Sequence, residues 1–138
     1  MPATIYEKLF SRLADLIAFE NAPEGSVFCA TPRLVGDLAV YCHVSAAEGS
    51  MRIIEMADDN PKTGALPRPW LKIRVDVSNH IAEVLEVEDA FGYQIVYSAP
   101  MQINPRRPQI NMFALNWLYM LAKFTTGFQR LETSPAAI

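Results

Sequence analysis

Apolar residues Ile5, Leu9, Leu13, Leu16 and Ile17 recur at helical spacing near the start of the chain, while Glu7, Lys8, Arg12 and Asp15 fall mostly on other sides. The pattern predicts an amphipathic helix over about Thr4 to Phe19, started by Thr4 or Pro2. Asn21, Pro23 and Gly25 then open a loop. After it the period changes from helical to two. Val27 to Thr31 forms a short strand that Pro32 should interrupt, because proline has no N–H to give a ladder. Leu38, Val40, Cys42 and Val44 alternate with Ala39, Tyr41, His43 and Ser45, as in a half-buried strand. Glu48-Gly49-Ser50 turns the chain, and Met51 to Met56 returns as the partner of a hairpin.

Asp58 to Pro69 holds aspartates, an asparagine, a glycine and prolines, and reads as a loop crossing an end or edge of the sheet. Alternation resumes in Trp70 to Val77, with Leu71, Ile73, Val75 and Val77 on one side and Lys72, Arg74 and Asp76 on the other. Ser78-Asn79-His80 leads into Ile81 to Glu88, and Asp89-Ala90 into Phe91 to Ser98, where Phe91, Tyr93, Ile95 and Tyr97 share a face. These segments predict a meander of three strands. Pro100, Pro105 and Pro108 make Ala99 to Pro108 irregular, with Pro108 suited to a first helical turn.

A final helix follows from Gln109 to about Thr126, with Gly127 as its terminator and a tail beyond Leu131 expected to fray, residues 132–138 above all. Ile110, Phe113, Ala114, Trp117, Leu118, Leu121 and Ala122 form one apolar stripe of this helix. Met112, Leu115, Tyr119 and Met120 make much of the remaining circumference apolar too, and Lys123 is its one charge. Such a helix must be covered on several sides or present an interface, which marks Met112, Leu115, Tyr119 and Met120 as candidate contact residues. The elements sum to one α+β domain over residues 1–138: an antiparallel sheet of about five to six strands flanked by an N-terminal and a C-terminal helix.

Composition narrows the function without choosing it. A chain of 138 residues, 51 % hydrophobic and 20 % charged, lies on the globular side of the disorder boundary and has the size of one core. A net charge of -3, with Arg106-Arg107 the lone adjacent basic pair, argues against a broad nucleic-acid footprint. A basic stripe assembled from Lys62, Arg68, Lys72, Arg74 and Arg106 would be needed to reverse that. Charges within the first apolar segment exclude a signal peptide or membrane helix there, and Cys29 and Cys42 in apolar strands read as reduced, buried side chains. The expectation is a cytoplasmic protein.

No HxxxH, HxH, CxxC or HExxH spacing is present, nor a glycine pattern for phosphate, nor a GxSxG nucleophile. The sequence therefore names no catalytic residue, no cofactor and no metal ligand. His43 and His80 read as polar-face and turn residues, and Asp58-Asp59 as a solvated turn. Glu83 is the odd one. Alternation with Ile81, Leu85 and Val87 puts its carboxylate among apolar residues, where it should be paired, hydrogen-bonded or at a pocket rim with a raised pKa. The opposite phase, with Ala82 and Val84 buried, is equally compatible with a strand. Tyr97, Asn104, Arg106, Arg107, Gln109 and Asn111 gather where the last strand gives way to the final helix, and its unpaired N–H groups with the two arginines form a candidate anion site.

The order and spacing of Ile81-Ala82-Glu83-Val84, Tyr97-Ser98-Ala99-Pro100 and Gln109-Ile110-Asn111-Met112-Phe113 with Trp117-Leu118 resemble the YqiB-like bacterial proteins. The likeness covers roughly Pro69 to Leu121, and Glu83, Tyr97, Gln109, Asn111 and Trp117 carry across. It implies a helix-then-strands domain of similar length and, since that family has no assigned activity, no reaction. Two functional expectations stand side by side. One is a non-enzymatic module that contacts a protein partner or forms a homodimer. The other is a binder of a small molecule or anion, or a hydrolase, with a pocket between sheet and C-terminal helix using Glu83, Tyr97 and Arg106 or Arg107.

Overall fold

A computed structural model describes residues 3–34, 39–58, 69–89 and 91–131. Helix α1 (Ile5–Leu16) starts at Thr4, whose hydroxyl accepts from the Glu7 N–H while Glu7 accepts from the Thr4 N–H. This reciprocal cap satisfies two donors that the first turn leaves unpaired. The helix stops short of the predicted Phe19. Ile17 is extended, and Ile17 and Phe19 are buried on either side of exposed Ala18, so the last apolar residues enter the core at a strand's period.

Among the described residues seven strands form the main antiparallel sheet: β1 (Val27–Pro32), β2 (Val40–Glu48), β3 (Met51–Asp58), β4 (Trp70–Asp76), β5 (Ile81–Asp89), β6 (Gly92–Ile95) and β9 (Thr125–Arg130). Their spatial order is β6-β5-β4-β3-β2-β1-β9. A separate ribbon pairs β7 (Tyr97–Ser98) with β8 (Gln102–Ile103). The sheet is one to two strands wider than predicted, and the reason is β9. Helix α2 (Arg107–Phe124) ends three residues before Gly127, and the chain then runs back along β1. Gly127, expected as a terminator, lies inside that strand at φ +95. Pro32 is not excluded from β1 but is its last residue, pairing with Thr125 beyond a register shift. The predicted long strand over Phe91 to Ser98 is broken at Val96, which is buried while Tyr93 and Ile95 are exposed.

Side chains alternate as the pattern requires. Cys42, Met56, Leu71 and Val87 stand in one cross-strand row and Val44, Ile54, Ile73 and Val84 in the next, all buried. Leu9, Phe10 and Leu13 of α1 and Ala114, Leu118 and Leu121 of α2 complete that core, the two helices packing on each other and on β5. The opposite face carries His43, Glu55, Lys72 and Glu86 in a polar row, with Lys72 and Glu86 paired at 3.6 Å. Cys29 and Cys42 sit on opposite faces of neighbouring strands and are both free. His43 is exposed as predicted; His80 is exposed too, but its ring also stacks on Phe10 at 5.0 Å. Leu38, Asp59, Lys62, Arg68, the body of the Asp58 to Pro69 loop and the tail 132–138 lie outside the described residues.

On α2 the stripe is rotated from the predicted one. Ile110, Asn111, Ala114, Leu115, Trp117, Leu118 and Leu121 are buried, whereas Phe113 and Ala122 face outward. Leu115 is thus a core residue and not an interface residue, because the helix packs both on β5 and on α1 and so buries a wide arc. Met112, Tyr119 and Met120 remain exposed, with Tyr119 beneath the Arg12 guanidinium at 4.2 Å.

Candidate functional site

Two β5 details set the site. Ile73 pairs with Val84 and Lys72 with Glu86, so Leu85 is an extra residue in the ladder. That bulge changes the phase of the strand: Ala82 and Val84 are buried before it and Val87 after it. Glu83 therefore belongs to the face opposite the core, beside its cross-strand partner Arg74, although its exposure is only 9 %. The second detail is that β6 pairs only with Glu86 to Asp89, so the first half of β5 has an open side. The start of α2 fills it. Fully buried Asn111 accepts the Val84 N–H at 2.8 Å and donates to the Arg107 carbonyl at 2.9 Å, holding the first turn of α2 against the strand.

Arg107 is thereby brought over Glu83. Its Nη2 donates to Glu83 Oε2 at 3.1 Å, the Tyr97 hydroxyl donates to the same oxygen at 2.6 Å, and Arg74 Nη2 donates to Oε1. The Arg107 guanidinium lies 4.7 Å from the Tyr6 ring and 5.7 Å from that of Tyr97, while its Nε is buried with no hydrogen-bond partner among the described residues. Burial pushes the Glu83 carboxyl upward, but the Tyr97 and Arg107 hydrogen bonds and the Arg74 and Arg107 charges outweigh it and hold the group below the ordinary carboxylate range. The raised value expected for a pocket-rim carboxylate is thus reversed. Burial, followed by the bond to Glu83, raises Tyr97.

Arg74, Glu83 and Arg107 form one wall of a cavity of about 370 Å³ bounded by α1, the β4–β5 hairpin and the first turn of α2, with Tyr97 behind that wall and outside the lining. Thr4, Tyr6, Glu7, Met51, Asp76, Asn79, Ile81 and Ala82 complete its lining. Glu7 is engaged in the cap with Thr4, and Asp76 accepts from Ser78 Oγ at 2.9 Å and Asn79 Nδ2 at 2.8 Å. The Thr4 hydrogen bonds lower the Glu7 pKa and those of Asn79 and Ser78 lower that of Asp76, so both are carboxylates at neutral pH.

Of the predicted site residues, Glu83, Tyr97 and Arg107 meet here. The others do not. Asn104 caps the turn before α2, accepting from the Arg106 N–H at 2.9 Å and donating to the Ile95 carbonyl at 3.2 Å. Arg106 and Gln109 are exposed and lie outside the cavity lining, and Asn111 is a buried bracket. Arg74, named above only on a strand face and in a basic stripe, and the α1 residues Tyr6 and Glu7 are not among the predicted site residues. Arg74 had a signal, because counting outward from the Asp76–Ile81 turn places it opposite Glu83; the approach of α1 had none.

Glu83 accepts from the Tyr97 hydroxyl and from both guanidinia, and a carboxyl held ionised in this way is a poor proton donor or acceptor near neutrality. Among the described residues no group of three or more His, Cys, Asp and Glu is placed to hold a metal ion, and no helix is long and apolar enough to cross a membrane. Of the basic stripe, Lys72 and Arg74 are each paired with a carboxylate. No family model, curated protein or solved structure matches this chain.

Proposed function

We propose that this domain binds a small organic ligand in the cavity beside Glu83 and does so without catalysis. One observation carries the reading: two guanidinia from separate elements, Arg74 on β4 and Arg107 on α2, converge on one carboxylate at the wall of an open cavity of about 370 Å³. Ligand pockets occupy this size range, and convergent polar groups on part of a largely apolar lining are their usual build. Glu83 fixes the arginines in place beforehand, which lowers the ordering cost a ligand meets. Membership of the YqiB-like group belongs to the same proposal and rests on Glu83, Tyr97, Gln109, Asn111 and Trp117.

The test is a fragment screen by protein-observed NMR on the full chain. Binders should shift the amides of Ile81, Ala82 and Asn79, and an Arg107→Gln variant should lose most of them. A screen whose hits all fall elsewhere would overturn the reading.

A second reading, contact with a protein partner or a second copy, is favoured by the outward side of α2. Met120 and Phe124 are 54 % and 53 % exposed, and Phe113, two turns earlier on the same side of the helix, is exposed too. Large apolar side chains gathered on one helix face are a common mark of an interaction surface. Light scattering on the purified chain tests its self-association form.

A further inference from the structure

Resting on the reading of the cavity as a ligand site, we propose that the ligand is an amphipathic monocarboxylate, its carboxylate held by Arg74 and Arg107 and its apolar part laid along Tyr6, Met51 and Ile81. Charge comes first. Two guanidinium charges against the single Glu83 carboxylate leave one positive charge on that wall, although Glu7 and Asp76 elsewhere in the lining make the cavity as a whole net negative. Donors are in surplus as well. Each guanidinium carries five N–H groups, whereas Glu83 already accepts from Arg74, Arg107 and Tyr97. A carboxylate is the group whose two oxygens match such a fork, and it would neutralise the excess.

The remainder of the lining sets the rest of the molecule. Met51, Asp76 and Ile81 form the cross-strand row next to that of Arg74 and Glu83 on the same face of the sheet. Two residues along a strand separate such rows by about 7 Å, the reach from a carboxylate to a short chain or ring. Ile81 is 41 % exposed at this position, and Tyr6, which packs under Arg107, supplies an aromatic wall. Glu7 and Asp76, both held ionised, line the same cavity and repel a second negative charge. The lining therefore admits one anionic end, at the guanidinia, and Tyr6, Met51 and the half-exposed Ile81 offer apolar surface to the rest of the molecule.

Phenylacetate, benzyl alcohol, phenethylamine and inorganic phosphate separate these features. The full ¹⁵N-labelled chain would be titrated with each, following the Arg107 Nε–H, whose burial slows its exchange, and the Ile81 and Ala82 amides. Phenylacetate should shift them saturably, at least about tenfold more tightly than benzyl alcohol, the difference that one modest charge-assisted contact makes. Ile81→Ser, at a half-exposed site with little bearing on folding, should weaken phenylacetate several-fold. Equal binding by benzyl alcohol or phenethylamine would overturn the monocarboxylate and leave the cavity reading standing. Equal binding by phosphate, or no effect of Ile81→Ser, would overturn the apolar half. If none of the four moves a cavity resonance, the ligand class and the cavity reading both fall.

Discussion

Asn111 and Val84, far apart in sequence, share one buried hydrogen bond of 2.8 Å that closes the open side of β5 and sets where α2 begins. Replacing Asn111 by Leu leaves the Val84 N–H buried without an acceptor and frees the first turn of α2. The expected loss is about 2 kcal/mol, within the range for an orphaned buried donor. Asn111→Asp keeps the acceptor but buries a carboxylate whose second oxygen faces the Arg107 carbonyl, so it should cost at least as much. Urea unfolding of the two variants decides; equal midpoints for Leu and wild type would show that the bracket does not hold the helix.

Glu83 gives a pH signature with a definite sign. Its folded pKa is below the ordinary value, so its contribution is complete above the ordinary carboxylate range and is lost as pH falls through the folded value. Glu83→Gln should thus destabilise the protein by about 1 to 2 kcal/mol at neutral pH, a figure already reduced for the partial exposure of both arginines. The gap between variant and wild type should shrink steadily below the ordinary carboxylate pKa. A gap independent of pH would mean that the charge of Glu83 is immaterial.

The thiols should react one at a time. Cys42 is fully buried and its thiol is pushed up strongly by that burial; Cys29 is half-buried on the other face, raised by burial although the Tyr41 hydrogen bond opposes it. A thiol reagent under native conditions should modify Cys29 slowly, faster as pH rises, and reach Cys42 only in denaturant. An intramolecular disulfide under mild oxidation would contradict the placement of the two residues on opposite faces.

Met120→Glu with Phe124→Ser tests the outward side of α2. Both positions are about half exposed, so stability should change by less than about 1 kcal/mol. If this face joins two copies, light scattering should give a multiple of the chain mass for wild type and a single mass for the double variant. A single mass for both removes self-association.

Much of the architecture was legible because it follows from local pattern. The alternation of Val40, Cys42 and Val44, and of Leu71, Ile73 and Val75, gave strands and inward faces that the buried rows match. The misses have tertiary causes. Leu85 bulges, so no single alternation runs through β5, and the phase at Glu83 could not be fixed from Val87. Thr125 to Arg130 has one large apolar residue, Phe128, and becomes a strand because β1 lies there to receive it. Leu115 falls outside the apolar stripe predicted for the last helix, and is buried because α1 and β5 share the burial of α2. At the candidate site, Glu83 stood out as a carboxylate in apolar company, and Arg107 as a cation at a helix start. Their meeting depends on Asn111, whose amide gave no sign in sequence of being a bracket.

The pairing of β9 with β1 has an outcome for synthesis on the ribosome. Thr126 Oγ1 reaches the Thr31 carbonyl at 3.3 Å, and the Leu131 N–H reaches the Val27 carbonyl at 2.9 Å. A strand made early thus waits with a bare flank while about a hundred further residues are translated, and a nascent chain stalled before Thr125 would expose that flank to whatever extended peptide is nearby.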